Sequence, residues 1–270
     1  MSDTSSHGYR HLLATCVAAA AKAAEVIRAH TPGLAALDWQ SKGAADFVTV
    51  VDRAAEEALA AVIAARHPDA TLVGEEGSPE GEIARGLVFV ADPLDGTTNF
   101  LHGFPWYAVS VAACVEGSAV AGAILNVATG ELFSATFGGG ARRAGAPIHV
   151  SSIAEPARAL IGTGLPFKHA DTFDHTLRVL PRIMQATAGI RRPGAAALDL
   201  ADVACGRFDA FWELRLAPWD IAAGLLLIRE AGGLATDLGG RDAPVASGPI
   251  VAGNPAMHAW LLRQLRETTP

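Results

Sequence analysis

The sequence predicts a single domain built from stacked layers of helices and sheets, and three observations support this fold class. Helical and strand-like patterns alternate irregularly along the chain, which is typical of layered folds that mix both elements. Half of the 270 residues are hydrophobic, so the chain can bury a large core without disulfide or metal staples. Neither an internal repeat nor a low-complexity linker interrupts the sequence, so we expect one continuous domain.

The N-terminal segment predicts an amphipathic helix. The apolar residues that share one helical face are Leu12, Cys16, Ala20, Ala23 and Ile27. Arg10 and His11 precede this alanine-rich run as in a signal peptide, but Lys22 and the charges after it continue the helical period and favour a helix. We expect the helix to end at residues 31–33, Thr-Pro-Gly.

The other elements of the first half follow from short apolar runs and helix signals. Residues 47–51 predict a strand, and Asp52 then opens a second helix that ends at residues 67–68, His-Pro. Residues 70–73 and 87–90 predict short strands. A meander of three strands and a following glycine loop are expected at 108–115, 119–127, 131–136 and 138–140.

The second half continues the alternation of strands and helices. We expect strands at 159–163, 208–212 and 249–252, and helices at 171–188, 195–204, 218–231 and 255–265. No apolar run approaches the length of a membrane span, so no membrane association is expected.

Charge and cysteine content exclude several classes of protein. The net charge of −7 and the lack of a long Lys/Arg run argue against a nucleic-acid-binding surface. Cys16, Cys114 and Cys205 stand far apart in apolar surroundings, so we expect buried thiols rather than disulfides or a zinc site. A reducing cytoplasm fits this usage. An acidic chain that binds a phosphate ester must recruit positive charge, which metal ions can supply.

Residues 91–100, Ala-Asp-Pro-Leu-Asp-Gly-Thr-Thr-Asn-Phe, form the most informative segment. Asp92 and Asp95 stand three residues apart after an apolar run, on a turn that Pro93 stiffens and Gly96 allows to bend. Carboxylate and hydroxyl oxygens suit a hard cation such as Mg²⁺. The alternative is an Asx-type turn whose aspartates are simply solvated.

The decapeptide resembles the metal-binding signature of the inositol monophosphatase family, the magnesium-dependent, lithium-sensitive phosphomonoesterases. Three further segments agree with that family in the same order: Lys-Gly-Ala-Ala-Asp-Phe-Val-Thr-Val-Val-Asp at 42–52, Gly-Glu-Glu-Gly at 74–77, and Trp-Asp-Ile-Ala-Ala-Gly at 219–224 with Glu-Ala-Gly-Gly at 230–233. Together the four segments span most of the chain. The resemblance implies a five-layered α-β-α-β-α sandwich over residues 1–270, in two halves of roughly 1–145 and 146–270, and a homodimer.

The resemblance also implies a set of metal ligands. It assigns a first Mg²⁺ to Glu75, Asp92 and the carbonyl of Leu94, with Thr97 as a further candidate ligand. It assigns a second Mg²⁺ to Asp92, Asp95 and Asp220, and a weaker third to Glu75 and waters. Two or three ions would therefore share one active site.

Direct attack of a metal-activated water follows from the same resemblance. The implied catalytic residues are Asp52, Glu75 and Thr97, because Thr97 and Asp52 would orient the water and accept its proton. The backbone N–H groups of Gly96 and Thr97 would hold phosphate oxygens. The chain has no GxSxG, CxxxxxR or HExxH signature that would indicate a different mechanism.

The substrate side departs from the family pattern at one position. The implied substrate-binding residues are Asp95, Gly96, Thr97, Gly194, Ala196, Glu213 and Asp220. Ala195 stands where the family usually has Ser or Thr, so one hydrogen bond to substrate or neighbouring backbone is missing. Glu213 matches an acid that contacts inositol hydroxyls in relatives.

Each candidate also has a purely structural interpretation. Asp52 is well placed to cap a helix, and Asp220 to interact with the dipole at a helix N-terminus. Glu75 suits a solvated loop, and Glu213 an exposed strand end. We favour the joint functional interpretation, because four independent structural explanations would have to coincide.

Hydrolysis of inositol-1-phosphate is therefore the predicted function. Histidinol-phosphate phosphatase and a broad sugar-phosphate phosphatase are alternatives on the same fold. A fructose-bisphosphatase or a 3′-phosphoadenosine phosphatase is disfavoured, because the sequence has no obvious basic cluster for a second phosphate. Some bacterial relatives bind the transcription machinery, so such binding is the alternative from another class.

Overall fold

The computed structural model describes residues 8–36, 40–43, 46–77, 81–167 and 170–266. Its α-helices are α1 (Arg10–His30), α2 (Val50–Arg66), α3 (Thr97–Leu101), α4 (Phe173–Ala186), α5 (Ala196–Ala204), α6 (Pro218–Glu230) and α7 (Pro255–Arg266). Its strands are β1 (Gln40–Gly43), β2 (Asp46–Val48), β3 (Thr71–Gly74), β4 (Leu87–Asp95), β5 (Ala108–Val115), β6 (Ser118–Asn126), β7 (Leu132–Thr136), β8 (Gly140–Arg143), β9 (Ala146–Pro147), β10 (Leu160–Thr163), β11 (Gly189–Arg191), β12 (Ala210–Leu216), β13 (Leu234–Thr236) and β14 (Gly248–Gly253).

The first two helices begin and end at local signals. The predicted apolar face of α1 is buried, and the helix ends at His30, directly before a 3₁₀ helix at Thr31–Ala36. α2 begins at Val50, two residues earlier than predicted. Thr49 caps it, because its hydroxyl accepts a hydrogen bond from the Val51 N–H while Asp52 accepts one from the Thr49 N–H. The predicted strand at 47–51 is therefore wrong after residue 48.

The first sheet contains the strands β3-β4-β5-β6-β7-β8-β9 in this spatial order. β3 and β4 are parallel, and the other neighbours are antiparallel. The predicted meander is confirmed as β5-β6-β7. The predicted loop at 138–140 is wrong at its end, because β8 starts at Gly140. Gly138 and Gly140 have φ of 70° and 76°, so the chain reverses at once and pairs with β7.

The second sheet has the spatial order β11-β10-β12-β14-β13. β10 is parallel to both β11 and β12, whereas β14 is antiparallel to β12 and β13. β11 and β13 were not predicted, because a three-residue strand is too short to show a periodic pattern. The predicted division of the chain near residue 145 stays a prediction.

Helices and sheets alternate in five layers. α1 and α2 cover one face of the first sheet, α5 and α6 fill the space between the sheets, and α4 and α7 cover the outer face of the second sheet. Each sheet is therefore buried on both faces. The predicted α-β-α-β-α sandwich is confirmed.

Strand residues divide between the layers with a period of two. In β4, Phe89 packs on the side of α1 and α2, whereas Val88 and Val90 face the central helix layer. In β12, Phe211 faces the central layer and Trp212 faces the outer one. Cys16 and Cys114 are buried as predicted, whereas Cys205 is only half-buried.

α6 lies between the two sheets and is apolar around its circumference. Its residues from Ile221 to Ile228 are all buried, as expected of a helix covered on all sides. None of the helices in the described part of the chain is long and apolar enough to cross a membrane.

Candidate active site

A cleft of about 1060 Å³ opens where the end of the first sheet meets the central helices and β12. Among the residues that line it are Glu75, Asp92, Leu94, Asp95, Gly96, Thr97, Gly194, Ala196, Glu213 and Asp220. Asp52 does not line the cleft but contacts Thr97 from below. The structure thus brings together every residue that the sequence nominated for the site. The side chain of Lys42, from the same family segments, lies outside the described residues.

Parallel pairing of β3 and β4 places Glu75 beside Asp92. Gly74, the last residue of β3, pairs with Ala91 in β4, so Glu75 and Asp92 follow at the same edge of the sheet. The carboxyl ends of neighbouring parallel strands meet at one edge, which explains how acids 17 residues apart along the chain become neighbours.

The two aspartates of the decapeptide lie within a strand and not on a turn after it. β4 continues to Asp95, and its register with β5 shifts between Asp92 and Asp95. A bulge of this kind accommodates Pro93, which cannot donate a ladder hydrogen bond. The tight bend falls one residue later, at Gly96, whose φ is 90°. A side chain there would also approach the Trp106 carbonyl to 3.0 Å.

Asp92 is deeply buried beside other acids of the cleft. Only 2% of the residue is exposed. Burial raises the pKa of its carboxyl group, and the nearby charges of Glu75, Asp95 and Asp220 raise it further. A site that gathers three further acids around a buried carboxylate favours the binding of a cation.

Backbone N–H groups hold one oxygen of each aspartate. Asp92 Oδ1 accepts a hydrogen bond from the Leu94 N–H at 2.9 Å, and Asp220 Oδ2 accepts one from the Ala217 N–H at 2.7 Å. Asp95 Oδ2 accepts one from the Ala197 N–H at 2.7 Å, which ties β4 to the first turn of α5. These bonds fix the orientation of the three carboxylates before any ligand binds.

Asp52 and Thr97 form a hydrogen-bonded pair that connects the cleft to the first turn of α2. The Thr97 hydroxyl lies 3.0 Å from Asp52 Oδ1 and 3.1 Å from the Leu94 carbonyl oxygen, and it can donate its single proton to one of them at a time. Asp52 Oδ2 accepts hydrogen bonds from both the N–H and the hydroxyl of Thr49. Asp52 is therefore a helix-capping residue and a neighbour of the site at once.

The predicted substrate side of the cleft is formed by Glu213 and by residues with little or no side chain. A Cβ atom on Gly164 would lie 2.0 Å from the Glu213 carboxylate carbon, so any larger residue there would displace this side chain from its present position. Gly194 has a φ of 97° and precedes α5. Ala195 is the N-cap of α5 and, lacking a hydroxyl, makes no side-chain capping bond.

Asp199 is a cleft residue that the sequence analysis missed. It is only 2% exposed, and its Oδ1 has no hydrogen-bond partner among the described residues. Burial raises the pKa of its carboxyl group, as do Asp95, Glu213 and Asp202, whereas the Trp106 indole opposes this rise. The indole approaches without completing a hydrogen bond, since Trp106 Nε1 also lacks a partner within the described part of the chain.

Two other neighbours of the site were also given no role by the sequence analysis. Asn99 donates to the carbonyls of Trp106 and Pro193, and so ties the decapeptide to the segment before α5. Ser110 is buried directly across from Asp92, and its hydroxyl lacks a partner among the residues described. Asn99 lies within the decapeptide 91–100, which could have drawn attention to it, whereas Ser110 is marked only by its polarity in an otherwise apolar strand.

The donor set fits a divalent cation in its chemistry. Oxygen ligands from three separate elements surround Asp92, and hard cations such as Mg²⁺ prefer such oxygens. Of the described residues, the arginines that line the cleft are Arg192, which stacks on Phe167, and Arg215, which pairs with Asp171. No three acidic, His or Cys side chains of the described residues converge tightly enough to enclose an ion as they stand. Closure around a cation would therefore draw the carboxylates nearer to one another.

Comparison with known proteins identifies close relatives over nearly the whole chain. The model of the inositol monophosphatase family matches residues 9–269. Nus factor SuhB of Pseudomonas aeruginosa is 42% identical over 264 residues, which cover 96% of this chain and 97% of that protein. Inositol-1-monophosphatase of Rhizobium meliloti is 44% identical over 229 residues, with 85% and 86% of the two chains covered.

Solved structures of related proteins share this fold over nearly the whole chain. The extragenic suppressor protein suhB from Bartonella henselae superimposes with a TM-score of 0.89 at 38% identity, covering 96% of this chain and 99% of that one. Inositol monophosphatase from Anabaena superimposes with a TM-score of 0.87 at 33% identity, covering 97% and 98%.

Proposed function

The chain belongs to the inositol monophosphatase family, a family of phosphomonoesterases, and we propose that it hydrolyses inositol-1-phosphate to inositol and phosphate with Mg²⁺ as its cofactor. The observation that carries this proposal is one cleft that holds Glu75, Asp92, Asp95 and Asp220 together with Glu213. The four acids supply oxygen ligands for cations. Glu213 supplies an acceptor for hydroxyl groups of the alcohol.

The acids around Asp92 prepare the site for a doubly negative phosphate ester. Mg²⁺ held by Glu75, Asp92, Asp95, Asp220 and the Leu94 carbonyl would neutralise the phosphoryl group, lower the pKa of a water and stabilise the departing oxygen. Without a cation the same acids would repel the substrate, because their charges accumulate on one side of the cleft. Activity should therefore depend on Mg²⁺.

Thr97 and Asp52 handle the proton of the attacking water. The Thr97 hydroxyl faces the cleft and can pass its own proton to Asp52 Oδ1 while it accepts another from a water in the cleft. Asp52 keeps its orientation throughout, because two groups of Thr49 hold its other oxygen. The backbone N–H groups of Gly96 and Thr97 lie at the bend before α3, where they are placed to orient phosphate oxygens.

The alcohol portion of the substrate contacts β12 and the first turns of α5 and α6. Glu213, Ala196 and Asp220 line this part of the cleft, and carboxylates accept hydrogen bonds from polyol hydroxyls. Ala195 adds no hydroxyl of its own, so recognition of the alcohol relies on fewer polar contacts. Histidinol phosphate and other sugar phosphates are accordingly the alternative substrates.

A panel of phosphate monoesters assayed with and without Mg²⁺ tests the proposal. We expect phosphate release from inositol-1-phosphate to require Mg²⁺, and its kcat/KM to exceed that of histidinol phosphate by at least about tenfold. Release that is unchanged after chelation would rule out the metal mechanism. Preference for histidinol phosphate would keep the mechanism and replace the substrate.

A second candidate function is binding to the transcription machinery. Relatives from three bacteria carry the name Nus factor or putative Nus factor SuhB at 38–42% identity, which favours this candidate alongside catalysis. The Asp92→Asn variant separates the two functions, because it removes a ligand charge inside the cleft and leaves the surface unchanged. Loss of phosphatase activity with retained binding to transcription proteins would show that both functions exist.

Homodimer formation, lithium inhibition and a cytoplasmic location belong to the same proposal. Each rests on the family resemblance. Equilibrium sedimentation tests the dimer, and inhibition of phosphate release by millimolar Li⁺ tests the lithium sensitivity. A monomer in sedimentation would leave the catalytic proposal intact, since every proposed site residue belongs to one chain.

A further inference from the structure

Glu56 is a buried carboxylate outside the cleft with an unusual set of neighbours. It lies on α2, one helical turn after Asp52, and is only 8% exposed. Its Oε2 accepts a hydrogen bond from the Glu76 N–H at 2.9 Å. The carboxylate of Glu56 therefore lies against the turn that carries Glu75.

The two glycines that flank Glu75 and Glu76 make room for the Glu56 carboxylate. A Cβ atom on Gly74 would lie 2.6 Å from Glu56 Oε2, and one on Gly77 would lie 2.6 Å from Oε1. Both approaches are too close for any side chain to be accommodated without displacement. The Gly-Glu-Glu-Gly sequence is thus explained by a buried acid that the turn wraps.

We propose that Glu56 is a positioning residue that sets the Mg²⁺ affinity of the cleft by holding the 74–77 turn in place. This inference rests on the proposed function. Glu75 can act on Asp92 only if its own turn stays at the end of β3, and the Glu56 carboxylate accepts a hydrogen bond from that turn. A hydrogen bond to an ionised acceptor is about twice as strong as a neutral one, so the negative charge of Glu56 contributes directly.

The helix α2, which carries Glu56, is held in place by its packing and by its N-terminal cap. Val51, Ala55 and Leu59 bury the helix against the first sheet, and the Thr49 cap fixes its first turn. Asp52 reaches Thr97 from the same helix, so α2 supports the proposed site at two points one helical turn apart. Partners that orient metal ligands in this way typically change metal affinity by about 10- to 100-fold when they are lost.

The test compares Glu56→Gln with Glu57→Gln, an exposed neighbour on the same helix. In metal-free protein, amide hydrogen exchange of the 74–77 turn should accelerate in Glu56→Gln and stay unchanged in Glu57→Gln. Titration calorimetry with Mg²⁺ should show affinity lowered about tenfold in Glu56→Gln only. At saturating Mg²⁺ the KM for substrate should return to the wild-type value, because Glu56 does not touch substrate.

Two further variants separate positioning from general loss of stability. Leu59→Val shortens a buried side chain one turn later on α2, so it should lower thermal stability and leave Mg²⁺ affinity unchanged. Gly77→Ala crowds the Glu56 carboxylate from the turn and leaves the helix intact, so it should weaken Mg²⁺ binding even if Glu56→Gln fails to fold.

Three results would overturn the inference. The positioning role alone would be refuted if Glu56→Gln bound Mg²⁺ within twofold of the wild-type affinity. If Glu56→Gln does not fold, the same result for Gly77→Ala would refute it. Unchanged exchange of the turn in Glu56→Gln would do the same. Wild-type protein that binds no Mg²⁺ would refute the proposed cofactor and this inference with it.

Discussion

The two ends of the cleft are built in different ways. At the end that carries Asp92, Asp95 and Asp220, each aspartate has one oxygen held by a backbone N–H. At the end that carries Asp199, a buried carboxylate oxygen has no hydrogen-bond partner among the described residues. Elsewhere in the cleft lining, Arg192 and the exposed ring of Phe167 meet in a cation–π contact.

We infer from this contrast that, under the proposed function, the metal-binding end is preorganised while recognition of the alcohol is left adaptable. Fixed carboxylates suit a phosphoryl group, whose charge and geometry are the same in every monoester. The alcohol end offers few hydrogen-bonding groups dedicated to one substrate, since Ala195 has no hydroxyl. An alcohol of a different shape therefore leaves few such groups unpaired and is penalised little. Substitutions at the first end should therefore change kcat, and those at the second end should chiefly change KM or stability.

The largest expected effect is at the centre of the preorganised end. Asp92→Asn should lower kcat on the order of a thousandfold, because several kcal/mol of cation-based transition-state stabilisation is lost. Phosphate release at saturating Mg²⁺ measures this loss. The amide retains the shape of the side chain, so circular dichroism should match wild type. A decrease of less than about tenfold would contradict the central place of Asp92.

Thr97→Val should have the next largest effect. The substitution keeps the volume of the side chain and removes the hydroxyl between the cleft and Asp52. We expect a loss of about a hundredfold in kcat with little change in KM, as is typical for a lost proton-handling group. Thr97→Ser keeps the hydroxyl and should retain most of the activity, so equal losses in both variants would argue against a role of the hydroxyl.

The alcohol end should respond mainly in stability, with a defined pH dependence. Burial, above all, raises the pKa of the Asp199 carboxyl group in the folded state above the usual value of an aspartate. Stability is therefore lost as pH rises from the pKa of the unfolded chain, about 3.9, towards the raised pKa of the folded protein. In metal-free protein, Asp199→Asn should match wild type near pH 4 and be more stable at pH 7. A gain on the order of 1–2 kcal/mol, or a few degrees in Tm, is expected.

Asp202→Asn is the matched control for Asp199, because both acids lie buried on α5. Burial raises the pKa of Asp202 as well, but its ion pair with Arg207 at 3.0 Å opposes that rise. Its neutralisation should therefore give a smaller gain in Tm at pH 7 than that of Asp199, or a loss. If Asp199→Asn lowers Tm at pH 7 as much as Asp202→Asn does, Asp199 has a partner that stabilises its charge.

The smallest expected effect is at Ala195. Ala195→Ser should raise Tm by about 2–4 °C, because the new hydroxyl can cap α5 and contribute about 1 kcal/mol. Ala197→Ser places the same hydroxyl inside the buried part of α5, where no capping role exists, and should lower Tm. Differential scanning fluorimetry of both variants checks the contrast, and a decrease in both would show that the Ala195 pocket has no room for a hydroxyl.

Much of the site could be predicted from the sequence, because its key residues cluster in short segments. Residues 91–100 alone supply Asp92, Leu94, Asp95 and Thr97, and the prediction that they share a cleft with Glu75 and Asp220 agrees with the structure. The segment was nevertheless expected to be a turn. Its continuation as strand depends on pairing with β5, a partner that a local pattern does not reveal.

Local patterns determined the helices, the longer strands and the family of this chain, because apolar periodicity and short motifs are properties of neighbouring residues. Only the tertiary structure decided which distant residues meet. The unpartnered oxygen of Asp199 and the fit of Glu56 between Gly74 and Gly77 exist because separate helices and strands pack together. The cost or benefit of a buried charge depends on those neighbours, which a linear sequence leaves unspecified.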